Sequence, residues 1–114
     1  MHAHLPPATL VVVTSPHSAP TTTAHGLYLA THHHPEVGAY HMVCLRYQYA
    51  PPYGSRIQAY PRDEVAPTPH HLSSLDIYDM LELKTTLHHW GYPEALPTIT
   101  AINNTLNHIA PLPT

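Results

Sequence analysis

The apolar period of this chain changes once, at a proline-rich joint, and that change limits the folds open to it. From Ala8 to Tyr60 the apolar residues come in short β-branched or alternating runs. Beyond Pro67, Pro69, His70 and His71 they recur every three to four residues. Period 2 sends alternate side chains to opposite faces of a strand, and period 3.6 gathers them on one stripe of a helix. Strands followed by helices make an α+β domain, because each layer must bury its apolar side on the other.

Four strands are predicted. They are Ala8 to Thr14 (ATLVVVT), His25 to His33 (HGLYLATHH), Ala39 to Ala50 (AYHMVCLRYQYA) and Ser55 to Tyr60 (SRIQAY). Ser15 to Ala24 reads as an uncharged connection and Pro51-Pro52-Tyr53-Gly54 as a turn. Pro61 is expected to stop the ladder, since it has no N–H to donate. The first helix is expected to start at Ser73 as N-cap, with Asp76 at N3 and a Leu72–Ile77 staple. Gly91 and Pro93 end it. Its expected apolar face is Ile77, Met80, Leu81, Leu83, Leu87 and Trp90, with Lys84 snorkelling at the edge of that arc. A second helix from Pro97 carries Ile99, Ile102, Leu106 and Ile109 on one stripe. The expected architecture is therefore α+β: a four-stranded, mainly antiparallel sheet over residues 8–60, with a C-terminal helical hairpin over 73–110 packed on it. Residues 1–7 form a flexible arm. With 114 residues, 43% of them apolar, the chain is read as one domain, 1–114.

Charge narrows the function. Charged residues are 10% of the chain, against roughly 25% in an average soluble protein. With 4 Lys+Arg and 7 Asp+Glu there is no basic stripe to neutralise phosphates, which argues against nucleic acid as a partner. The 13 histidines supply the main electrostatic latitude. Protonated, they would turn a net charge of −3 into +10, largely around a pH of about 6.5. The single cysteine, Cys44, excludes an internal disulfide and sits in an apolar run where an inert thiol is expected. His41 lies three residues from it, on the opposite strand face, so the two form no dyad. The longest aliphatic run, Leu10 to Val13, is far short of a membrane span. A cytoplasmic location, in the protein's own cell or a host cell, is expected.

The chemistry-bearing clusters are sparse. His32, His33, His34 and His41 could meet across a hairpin. Pairing 32 with 41 would put three imidazoles on one face, as zinc needs. Pairing 33 with 41 builds the better apolar face and brings only His33 and His41 together. The second register is expected, and no metal site or cofactor is assigned. Asp76, Asp79 and Glu82 follow one another along the first helix, where they suit its dipole. No nucleophile elbow, phosphate loop or dinucleotide fingerprint is present, so no catalytic residue is assigned. Leu87 to Ile109 is similar in outline to the helix-turn-helix of DNA-binding regulators, with a Thr/Asn-rich second helix. That helix lacks Lys and Arg, so nucleic-acid binding is kept as an alternative reading, beside a histidine-dependent metal or pH response.

The expected function is a small non-catalytic protein-binding module, of the inhibitor or accessory type found in phages and mobile elements. Six of the eight tyrosines lie between Tyr28 and Tyr60, with Arg46, Arg56 and Arg62 among them. Tyr and Arg are enriched at protein interfaces. On the third strand Val43 and Leu45 are expected to face the helices. Tyr40, Met42, Arg46 and Gln48 then point outward as interface candidates, with Arg46 the anchor. The expected partner is another protein, and low surface charge also favours a homo-oligomer.

Overall fold

The computed structural model describes residues 5–14, 23–36, 38–51 and 55–109. The arm's first four residues, most of the Ser15 to Ala24 connection and the Pro52-Tyr53-Gly54 turn lie outside these. Five strands precede two helices: β1 Leu10–Thr14, β2 Thr23–His34, β3 Gly38–Leu45, β4 Ile57–Pro61, β5 Val65–Pro67, α1 Ile77–Trp90 and α2 Leu96–Ile109. Every pairing is antiparallel, in the order β4-β3-β2-β1-β5. The fold is α+β with a five-stranded sheet, one strand more than the sequence pattern suggests. The extra strand, β5, is three residues ending in Pro67, too short to show a period. It pairs with β1 at the sheet edge, where a proline lacking an N–H does little harm.

Connectivity forces the sheet to curl. β4 and β5 are its two edges, yet only the 3-10 turn Arg62–Glu64 joins them. Strands spaced about 4.8 Å apart would hold the edges of a flat five-stranded sheet about 19 Å apart. The chain from Pro61 to Val65 spans at most about 14 Å even when extended. The edges therefore bend toward each other, and the turn crosses the open side, touching both β1 and β3. Inside the curl Val11, Val13, Val43 and Leu45 pack with Tyr60 and Val65 from the two edge strands. Leu5 and Tyr49 pack against this cluster from outside the sheet.

The opposite face carries the helices. Leu10, Leu27, Cys44 and Ile57 lie in register across four strands. Met80, Leu83 and Leu87 of α1 and Ile99 and Ile102 of α2 cover that row. Gly26 is required where β2 passes β3: a Cβ there would lie 2.6 Å from the Cys44 carbonyl oxygen and 2.7 Å from Val43 Cγ1. Past it, β2 shifts register between Tyr28 and Ala30. The Tyr28 carbonyl accepts from Ala8 N–H (3.1 Å) and from the buried Thr98 hydroxyl (3.3 Å), tying α2 to the bulge.

The helix signals hold, with two corrections. Asp76, rather than Ser73, is the N-cap of α1, its carboxylate accepting from Asp79 N–H at 2.8 Å. Ser73 belongs to a preceding 3-10 turn, Leu72–Ser74. Gly91, at φ 77°, ends the helix in the left-handed conformation that favours glycine. The buried stripe is narrower than expected, since Ile77 and Leu81 are exposed. At 100° per residue, Met80, Leu83, Leu87 and Trp90 span about 80° of arc, and Ile77 and Leu81 lie about 60–100° beyond it. No helix among the described residues is long and apolar enough to cross a membrane.

Candidate functional site

β3 presents its faces the opposite way from the expectation. Met42 and Cys44 pack toward α1 and α2, while Val43 and Leu45 fill the inside of the curl. Both faces of the strand are apolar, so alternation alone could not say which one meets the helices. The strand also stops at Leu45, and Tyr47–Tyr49 form a 3-10 turn that contacts α1. Of the four interface candidates, Tyr40 and Met42 are half-buried and Gln48 is exposed.

Arg46 turns inward. Its Nη2 donates to Asp79 Oδ2 at 2.7 Å, with both side chains largely covered. Arg56 grips the next turn of the helix. Its guanidinium donates from Nη1 and Nη2 to the two Glu82 oxygens, the Nη2 bond being 2.8 Å. Arg56 also donates to the Leu45 carbonyl, from Nε at 3.1 Å and from Nη2 at 2.9 Å, and to Thr86 Oγ1 at 3.0 Å. The Arg56 hydrogen bonds hold the Glu82 carboxyl below the usual carboxylate range. The three acidic residues thus divide their work: Asp76 caps the helix, while Asp79 and Glu82 dock it. Arg46, expected at an interface with a partner, is part of the join between sheet and helix instead.

The histidines also separate. His41 pairs with Thr31 across the hairpin, and His33 with Ala39, so neither expected register occurs. The register shift between Tyr28 and Ala30 sets this pairing, and it does not show as an apolar pattern. His32 Nε2 pairs with Glu94 Oε2, and His34 Nδ1 accepts from Glu36 N–H at 3.1 Å. Among the described residues no group of three or more His, Cys, Asp or Glu is placed to hold a metal. Cys44 is sealed in the helix-facing core, and burial pushes its thiol up to about 12. His41 lies on the other side of the strand, nearly buried, with Nδ1 2.8 Å from Thr31 Oγ1.

A different surface remains open. Ile77, Tyr78 and Leu81 are exposed on the outer face of α1, and Tyr47 is exposed on the turn beside it. Tyr78 is 82% and Tyr47 70% exposed, so neither ring has a home in its own chain. Lys84, half-buried at the border of this face, has no carboxylate within ion-pair distance among the described residues. The outer face of α2 is of another kind. It carries Thr100, Asn104, Asn107 and His108 beside the exposed Leu96 and Ile109, with no Lys or Arg. Reading Ile77 and Leu81 as core hid this surface in the sequence; the angular gap between them and Met80–Leu83–Leu87 was the available signal. Comparison with protein families, with curated proteins and with solved structures finds no match for this chain.

Proposed function

We propose that this chain is a small non-catalytic protein-binding module that engages its partner through the outer face of α1 and the adjoining Tyr47. One observation carries the reading: Ile77, Tyr78 and Leu81 are exposed on α1, and Tyr47 is exposed on a turn that contacts the same helix. Scattered apolar side chains are ordinary on a protein surface, and three of them within two turns of one helix favour a contact site there. Tyrosine contributes a large, stiff contact area and is enriched among residues whose loss weakens complexes. Such a helix face usually carries charge, which the first two turns of α1 leave to its flanks. Arg46 plays no part in this version of the reading, because it serves Asp79. The partner is another protein chain, and a low-charge surface adds a second copy to the partners worth testing.

A photo-crosslinking amino acid placed at Tyr78, and at Thr100 of α2 as control, tests the reading in the native host and on the purified protein. Adducts from position 78 that are absent from position 100, and lost in a Leu81→Asp background, are expected. Equal adducts from both positions, or none from 78 in either setting, would overturn it.

A further inference from the structure

A cavity of about 300 Å³ opens where the Arg62–Glu64 turn crosses the curl, lined by Leu5, His41, Arg62, Asp63, Val65 and Pro67. Its volume is at the lower end of the range for small-ligand sites. His41 reaches it from inside the domain, with only 4% of its surface exposed. A short hydrogen-bonded chain fixes the ring: Tyr28 Oη lies 2.5 Å from Thr31 Oγ1, which lies 2.8 Å from His41 Nδ1.

The chain favours one tautomer. Tyr28 Oη has no other hydrogen-bond partner among the described residues, which makes Thr31 Oγ1 the acceptor on offer for its proton. The Thr31 hydroxyl then donates to Nδ1, and His41 carries its proton on Nε2. The ring stays neutral near pH 7, because burial and the nearby Arg62 guanidinium hold its pKa down. Nε2–H has no acceptor among the described residues and keeps some exposure, which leaves it free for a ligand in the cavity that His41 lines. Arg62 is exposed at the rim and has no ion-pair partner among the described residues. A neutral imidazole and a nearby guanidinium lining one largely apolar cleft favour an oxyanion with an apolar body. Asp63, the other charged group of the lining, disfavours a doubly charged anion such as phosphate.

We propose that this cavity binds a small monocarboxylate, its oxygens on Arg62 and His41 Nε2–H and its short tail against Leu5, Val65 and Pro67. The site is separate from the α1 surface, and either can fail without the other.

Long-range ¹H–¹⁵N NMR of the His41 ring at pH 7.5, during titration with butanoate and separately with phosphate, tests it. The expected result is the Nε2–H tautomer in the free protein and a saturable shift of that nitrogen with butanoate. Binding should weaken tenfold or more in Arg62→Gln, whose exposed position leaves folding intact, and phosphate should bind tenfold or more weaker than butanoate. An Nδ1–H tautomer, no saturable shift, an unchanged affinity in Arg62→Gln, or phosphate binding as well as butanoate would each overturn the proposal.

Discussion

Glu82→Ala should cost this domain about 2 kcal/mol of stability, more than an ordinary surface ion pair and less than a fully buried one. Surface pairs contribute roughly 0.2–1 kcal/mol, while removing one partner of a buried pair costs roughly 3–5 kcal/mol because a charge is left uncompensated. The Arg56 side chain is 16% exposed and that of Glu82 is 37% exposed, which places this pair between the two cases. The variant leaves Arg56 with the Leu45 carbonyl and Thr86 but no countercharge. Two parallel guanidinium–carboxylate bonds are lost, the geometry in which such pairs are strongest. Urea unfolding at pH 7 gives the loss directly, and for a domain of this size it corresponds to a melting point lower by roughly 6–12 °C. In a double-mutant cycle with Arg56→Met, the double variant should lose about 1 kcal/mol or more less than the sum of the single losses.

The pH dependence has a definite sign. Glu82 has a folded pKa below its ordinary value of 4.5, so its contribution is complete above that pH and fades as pH falls through the lower folded value. Wild type should therefore lose more stability than Glu82→Gln on acidification below about pH 4.5. An additive cycle, or a loss under about 0.5 kcal/mol in Glu82→Ala, would refute the clamp and leave the Arg46–Asp79 pair and apolar packing to hold α1.

Three further outcomes are expected. Gly26→Ala should destabilise by about 2–3 kcal/mol in urea unfolding, since the new Cβ meets backbone that cannot yield; a neutral result would mean that β2 and β3 pass less closely. Native Cys44 should resist iodoacetamide at pH 8 for hours and react promptly in denaturant, because burial holds its thiol at about 12; rapid native labelling counts against the sealed core. His41 has a folded pKa below the ordinary value of 6.5, so stability should be full above that pH. It should fall as pH drops below 6.5, because the unfolded chain takes up the proton first, and level off below the folded value. His41→Asn should reduce that slope, and an unchanged slope would place it among the exposed histidines.

The order of strands before helices, the Gly91 stop and the burial of Cys44 were all legible in the linear chain, because period, turn chemistry and apolar context are local properties. Three things were not. Which face of β3 meets the helices depended on the curl of the sheet, and the curl follows from β4 and β5 being opposite edges joined by a three-residue turn. The hairpin register depended on a bulge at Tyr28, where the Ala8 N–H and the Thr98 hydroxyl reach one carbonyl from opposite ends of the chain. The role of Arg46 depended on both, since the side of β3 that faces α1 is the side from which it finds Asp79. Alternation says that neighbouring residues differ in direction, but it is blind to which direction is inward. That is settled only when distant segments compete to cover the same apolar surface, and here α1 and α2 cover one face while the sheet's own curvature covers the other.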